Sequence, residues 1–180
     1  MFKNFLRFNI ILFIITISNG QHEYKPEITA TVSQVFLGEP LDKSFTKVGN
    51  KAYHFGQSKL SWYKAYLVCR SLGGYLASID TQQDLKDLSN YLSSTYGSSR
   101  IWWLSGSDQD SEDDFFWFST GRRFGYADWA TGQPDNNNGD ENCVYLDYRR
   151  PNYQMYDGKC DRKMYYVCEN RLKTIILNVS

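Results

Sequence analysis

The chain has little histidine, little proline and no excess of either charge. Its 180 residues include 20 Lys and Arg against 20 Asp and Glu, with two histidines and four prolines. A formal net charge of zero without a basic run excludes the electrostatic footprint of a nucleic-acid surface. His22 and His54 are the only imidazoles, and no cysteines have the paired spacing of a zinc centre, so a zinc site has no ligand set to draw on. No nucleophile–base pair stands out, and the chain does not read as an enzyme. After the first twenty residues no segment is apolar enough to span a bilayer, so membrane insertion is not expected. Internal repeats and low-complexity tracts are also missing.

The first twenty residues read as a leader rather than as fold. Lys3 and Arg7 precede a short apolar run from Phe8 to Ile17, and Ser18-Asn19-Gly20 offers small residues for cleavage before Gln21. That is the layout of a secretory signal peptide. The run is about ten residues, and a membrane anchor needs roughly 20. The expected location is therefore secreted and extracellular. Removing 20 from 180 residues leaves 160, enough for one domain with a single core.

Aromatic residues are plentiful at 17%, with 14 Tyr, 11 Phe and 5 Trp. They pack loop-rich folds and also make sugar platforms. All four cysteines (Cys69, Cys143, Cys160, Cys168) fall after the leader. Two disulfides follow from an even count in an oxidising compartment, and the residues alone allow three pairings.

The order of elements reads as α+β, with the helices early. Residues 21–44, with Pro26, Gly38 and Pro40, read as an N-terminal arm. Phe45 to His54 surrounds the turn pair Gly49-Asn50 and reads as a strand or hairpin. Ser61 opens a helix whose face is Trp62, Ala65, Val68, Cys69 and Leu72, and Gly73-Gly74 ends it. Thr81 caps a second helix in capping-box spacing with Asp84, and Leu85, Leu88, Tyr91 and Leu92 form its stripe. Ser93 to Arg100 reads as a polar turn. Ile101 to Leu104 and Phe115 to Phe118 are short apolar runs that suit strands. From Ser119 to Asn142 the chain turns to Gly, Asp, Asn and Pro, a loop long enough to be functional. Cys143 to Tyr148 and Met164 to Glu169 close the domain as two strands, and 171–180 is a tail. Asn178-Val179-Ser180 has the form of a glycosylation sequon at the very end of the chain, where efficient use is not expected.

That loop carries Trp129, Gln133-Pro134-Asp135 and Asn136 to Asn142, and Asp157 follows the next strand. Its donors are side-chain oxygens with carboxylate charge, which suit a hard cation such as Ca²⁺ far better than Zn²⁺. With Trp62, Cys69, Gly74-Tyr75-Leu76-Ala77, Trp103-Leu104-Ser105-Gly106, Phe115-Phe116-Trp117, Glu141-Asn142-Cys143 and Tyr166-Val167-Cys168-Glu169, the stretch 45–170 resembles a C-type lectin domain of the short, two-disulfide form. It is similar to secreted single-domain lectins of insects and other invertebrates that recognise glycans on microbes or host cells in innate defence.

The resemblance implies two helices, short antiparallel strands and a long loop pinned by disulfides Cys143–Cys160 and Cys69–Cys168. It implies a primary calcium held by Gln133, Asp135, Glu141 and Asp157, with Pro134 in the cis form. Two vicinal sugar hydroxyls complete the shell. The Gln-Pro-Asp order is similar to relatives that select galactose, and an oligomer presenting several sites is the expected source of avidity. Asp108, Glu112, Asn136 and Asn142, with Glu141, match an accessory calcium position, whose alternative is a solvated acidic loop.

Two positions depart from the family pattern. Met155-Tyr156-Asp157 stands where Trp-Asn-Asp is usual, so Tyr156 replaces an oxygen ligand and sugar donor. Calcium affinity is then expected toward the weak end for extracellular modules, about 10⁻⁴–10⁻³ M or weaker. Asn136-Asn137-Asn138 stands where galactose-type relatives often carry a stacking Trp, and Tyr156 or Tyr153 is the expected substitute platform. The competing expectation is a lectin-like domain that binds a protein partner without calcium.

Overall fold

The computed structural model describes residues 44–170. The expected signal peptide, most of the expected arm, and the tail with its sequon lie outside the described residues.

β1 (Thr46–Val48) and β2 (Lys51–Leu60) form the expected hairpin. Gly49 makes the turn at φ 58°, in the left-handed region that glycine enters without steric cost. α1 (Trp62–Ser71) buries Trp62, Ala65 and Cys69, while Val68 and Leu72 are only partly covered. The two-residue β3 (Tyr75–Leu76), not anticipated from the sequence, pairs with the last strand. α2 (Gln82–Tyr96) starts at Thr81 with the complete capping box: the Asp84 amide donates to the Thr81 hydroxyl at 3.1 Å, and the Thr81 amide to the Asp84 carboxylate at 3.2 Å. This helix is longer than expected. The segment read as a polar turn from Ser93 continues as helix to Tyr96, because Tyr96 packs its ring 5.1 Å from Trp102 and 5.7 Å from Phe55. Tertiary burial of one aromatic overrides the weak helix preference of the Ser-rich run.

β4 (Trp102–Ser107) is buried throughout and lies at the centre of the sheet. It runs parallel to β9 (Met164–Asn170) and antiparallel to β5 (Phe116–Trp117) and β7 (Cys143–Arg149). β6 (Arg122–Arg123) extends β5. Gly106 on β4 marks a close approach. A Cβ there would sit 2.6 Å from Phe124 Cζ and 2.8 Å from the Val144 Cβ, so only a bare backbone fits.

The closing segment corrects the two-strand expectation. Asn152–Gly158 is a further strand, β8, antiparallel to β7 along its whole length. Its inward residues Tyr153, Met155 and Asp157 alternate with the partly covered Gln154 and Tyr156, a period-two pattern. The disulfides are Cys69–Cys168 and Cys143–Cys160, as the resemblance implied. The first ties α1 to β9 across 99 residues. The second joins the start of β7 to the segment after β8, and the Cys160 carbonyl accepts the Trp62 amide at 2.9 Å, linking this region to α1.

Candidate metal centre

The β7–β8 hairpin fixes one wall of the site. Its register sets Val144 opposite Asp157 and Cys143 opposite Gly158, so the aspartate stands beside the start of β7, where the long loop returns. Segment 128–133 runs along the other edge of β8: the Ala130 amide donates to the Met155 carbonyl at 3.0 Å and the Met155 amide to the Asp128 carbonyl at 2.8 Å. Trp129 anchors that segment on Phe115, with ring centroids 4.9 Å apart. The loop is therefore packed on aromatic core rather than free.

Asp157 is 2% exposed, and a buried carboxylate needs partners. Its Oδ1 accepts the Asp135 amide at 3.1 Å and its Oδ2 the Asn136 amide at 2.7 Å. Asn136 and Asn138 adopt left-handed backbone conformations, φ 40° and 64°, which Asn tolerates better than most side chains. The Asn136 amide oxygen then accepts the Glu141 N–H at 3.2 Å. Each contact passes the chain to the next ligand position. The Gln133-Pro134 bond is cis, as expected.

The outcome is a cluster in which carboxylate oxygens of Asp135, Glu141 and Asp157 all lie within 4.8 Å of one another. On the same loop, two residues before Asp135, Gln133 Oε1 is buried without a hydrogen-bond partner among the described residues. A buried acceptor left unpaired is costly, and a cation would satisfy it. Burial, and then the charge of Asp157, pushes the Glu141 carboxyl above its ordinary range. Three gathered acids, without imidazole or thiolate, suit a hard divalent cation, and an amide oxygen such as that of Gln133 is a donor of the same kind.

Asp108 is 2% exposed, and its Oδ1 also lacks a partner among the described residues, while Oδ2 accepts the Asp113 amide at 3.1 Å. Burial pushes this carboxyl up to about 6, with Glu112 and Asp157 adding to the shift. Glu112 is exposed and Asn142 half-buried. Asp108 and Glu112 stand outside the three-carboxylate cluster, so the accessory set is less closely gathered than the primary one.

The family model of the Lectin C-type domain matches residues 58–170. The chain belongs to this family. The chain is 32% identical over 132 residues to C-type lectin 37Da of Drosophila melanogaster, covering 69% of this chain and 70% of that protein. It is 28% identical over 130 residues to the galactose-specific lectin nattectin of Thalassophryne nattereri, covering 72% and 80%. Among solved structures, the mouse scavenger receptor C-type lectin carbohydrate-recognition domain superposes with a TM-score of 0.65 at 25% identity, over 76% of this chain and all of that one. Family membership makes the C-type lectin domain a binding module and not an enzyme.

Within the lectin domain, the two tyrosines expected as platforms part ways. Tyr153 is fully buried and donates its hydroxyl to the Gly97 carbonyl at 2.8 Å, so it cannot stack on a sugar. Tyr156 is half-buried beside the site. Its ring stacks on Tyr145 with centroids 5.4 Å apart and 21° between planes, and its hydroxyl accepts the Arg149 Nε–H at 2.6 Å. Arg149, Tyr145 and Arg162 were not anticipated as part of this neighbourhood. The alternation Tyr145, Asp147, Arg149 along β7 was the available signal, but it is legible only once β8 is recognised as its partner.

Proposed function

We propose that the chain is a secreted, calcium-dependent carbohydrate-binding lectin of galactose type that recognises glycans on microbial or cell surfaces in innate defence. The observation carrying this reading is the gathering of the Asp135, Glu141 and Asp157 carboxylates within 4.8 Å of one another, with Gln133, two residues before Asp135, holding a buried oxygen that has no hydrogen-bond partner among the described residues. Gln133, Asp135, Glu141 and Asp157 would hold the ion. Bound calcium supplies positive charge and open coordination positions for hydroxyl oxygens, since it takes 6–8 oxygens. The chain's own contribution is orientation. Asp157 fixes the Asp135 and Asn136 backbone, so the loop needs little reordering when ligand arrives. Gln133 carries an amide donor and Asp135 a carboxylate acceptor, the order that supports a galactose-type ligand, and one protein the chain is similar to is a galactose-specific lectin.

A second reading is a lectin-like domain that binds a protein partner without calcium. It is favoured by Tyr156, whose hydroxyl is engaged by Arg149 where an amide ligand would otherwise stand. Calcium titration of the purified protein, followed by galactose-agarose retention with and without EDTA, separates the two. Saturable calcium binding and retention lost in EDTA support the lectin. Retention absent in calcium, or unchanged by EDTA, favours the second reading.

A further inference from the structure

Three large apolar side chains are exposed among the described residues, Tyr63 at 46%, Leu67 at 64% and Phe118 at 47%, and they join into one patch. Tyr63, Tyr66 and Leu67 share a stripe of α1 by their three- and four-residue spacing. Phe118, just after β5, completes it: its ring centroid lies 5.2 Å from that of Tyr66 and 5.4 Å from that of Trp62, whose own ring is 5.3 Å from Tyr63. Scattered exposed apolar residues are ordinary, but a contiguous aromatic patch marks an interaction surface. The patch has a charged residue type at each end. Arg70, three residues beyond Leu67, continues the stripe, with its guanidinium 4.1 Å from the Tyr75 ring centroid and Nη1 donating to the Gly74 carbonyl at 3.2 Å. Most of its N–H donors are left over. At the other end the Tyr63 hydroxyl donates to Gln109, which precedes the exposed acids Asp110, Glu112 and Asp113. No ion pair among the described residues involves Arg70 or these three acids. From Tyr63 to Arg70 is about 10 Å along the helix axis. Acids therefore stand at one end of an apolar face and a cation at the other.

We propose that this face is a self-complementary dimer interface, on which α1 of two copies packs antiparallel about Leu67. A two-fold axis there buries the aromatic patch of each copy against that of the other, and it sets Arg70 of each against the other's 110–113 acids. A parallel arrangement would place acids against acids and cation against cation, so the charge pattern selects the reversed one. None of these residues belongs to the three-carboxylate cluster, and the inference stands apart from the galactose reading. If that reading also holds, two sugar sites on one particle strengthen a contact that is weak singly.

The test is sedimentation velocity of the purified full chain from about 1 μM to about 100 μM, the range in which a modest interface associates. Wild type is expected to show a reversible monomer–dimer equilibrium. L67E should be monomeric throughout, with the circular dichroism and thermal midpoint of dilute wild type, because Leu67 is exposed in the single copy. R70E should weaken the dimer about three- to five-fold at low salt and less at high salt, and R70E/D110R should recover it. A wild-type monomer at every concentration overturns the proposal, and a midpoint then lowered in L67E would assign the patch to a segment of the same chain. A dimer that survives L67E lies elsewhere and overturns it too. A dimer that R70E leaves unchanged, or that the double swap does not recover, overturns the antiparallel register. Assembly beyond two copies overturns the closed two-fold.

Discussion

Asp157 Oδ2 accepts the Asn136 backbone N–H at 2.7 Å, so one carboxylate both belongs to the three-acid cluster and fixes the loop that carries its two other members. Asp135 and Glu141 are more exposed and have less of this second role. The three acids therefore differ in what their loss does. Asp135→Ala and Glu141→Ala are expected to abolish calcium-dependent galactose retention while the thermal midpoint in EDTA stays close to wild type. Asp157→Ala should abolish retention and also lower stability, by about 1–3 kcal/mol for two part-buried amides losing their acceptor. Retention of D135A and E141A at wild-type level on a galactose column would remove the metal-bridged mechanism.

Acid should weaken calcium binding. Burial raises the Glu141 carboxyl and brings Asp108 to about 6, so protons compete with the cation as pH falls toward 5. The cation-free protein should respond in the opposite sense. A carboxyl raised in the folded state contributes stability that is fully present below its unfolded value of 3.8 and is lost as pH rises through about 6. A rise of about two pH units corresponds to about 3 kcal/mol at most. In EDTA, denaturant unfolding should therefore show Asp108→Asn gaining stability over wild type at pH 7 and little of that gain at pH 4. An equal difference between the two proteins at both pH values would show that Asp108 is not the titrating group.

The two disulfides should separate fold from site. Chain-entropy estimates give about 4.7 kcal/mol for a loop near 100 residues and about 3 kcal/mol for one near 15. Cys69–Cys168 spans 99 residues and ties α1 to β9, while Cys143–Cys160 spans 17 and lies beside the ligand loop. The double variant C143S/C160S should keep its fold with a reduced midpoint and lose most calcium affinity. C69S/C168S should lose more stability. Unchanged calcium titration in C143S/C160S would show that the strands alone hold the loop.

Much of the fold was legible because its signals are local. The Thr81–Asp84 capping box, the Gly49 turn and the Trp62-Ala65-Cys69 face each sit within a few residues of sequence. Part of the acid cluster was also legible, since Asp135 and Glu141 stand close together on one loop, while Asp157 joins them through the β7–β8 pairing. What escaped depends on distant partners. β8 has a period-two pattern that means little until β7 supplies the other half of the ladder, and Tyr96 stays helical because Trp102 and Phe55 receive its ring. Tyr153 and Tyr156, three residues apart, look alike in sequence. Strand alternation sends one into the core and leaves the other at the site.

Lys51 has its ammonium 2.7 Å from Asp80, 3.3 Å from Asp84 and 3.5 Å from Glu169, and it also donates to the Ser78 carbonyl at 3.0 Å. Burial alone would lower its pKa, but the surrounding acids, Glu169 foremost, raise it above the ordinary lysine value. Removing one partner from such a buried group costs about 3–5 kcal/mol. Lys51→Met is expected to lower unfolding free energy by about 3 kcal/mol without changing calcium affinity of the folded protein. A loss within 0.5 kcal/mol, roughly that of an ordinary surface change, would show that the network is well solvated.

Tyr156 tests the point at which the chain leaves its family's pattern. Its hydroxyl accepts from Arg149 and its ring lies on Tyr145, so both ends of the phenol are already engaged. The three-carboxylate cluster is assembled without it. Tyr156→Phe removes the hydroxyl alone and should leave calcium affinity unchanged, while Arg149 loses the contact that orders it. Tyr156→Asn removes the ring and introduces an amide oxygen next to Asp157, adding a neutral ligand suited to a cation that takes 6–8 oxygens. Calcium titration should then show several-fold tighter binding for Y156N than for either wild type or Y156F. Galactose retention reads the other half. An aromatic contact contributes on the order of 1 kcal/mol, about five-fold in affinity. If the ring also serves as a sugar platform, Y156N should gain calcium affinity and lose galactose at saturating calcium, and Y156F should keep both. A fall in calcium affinity in Y156F would make the hydroxyl a ligand and contradict its engagement by Arg149.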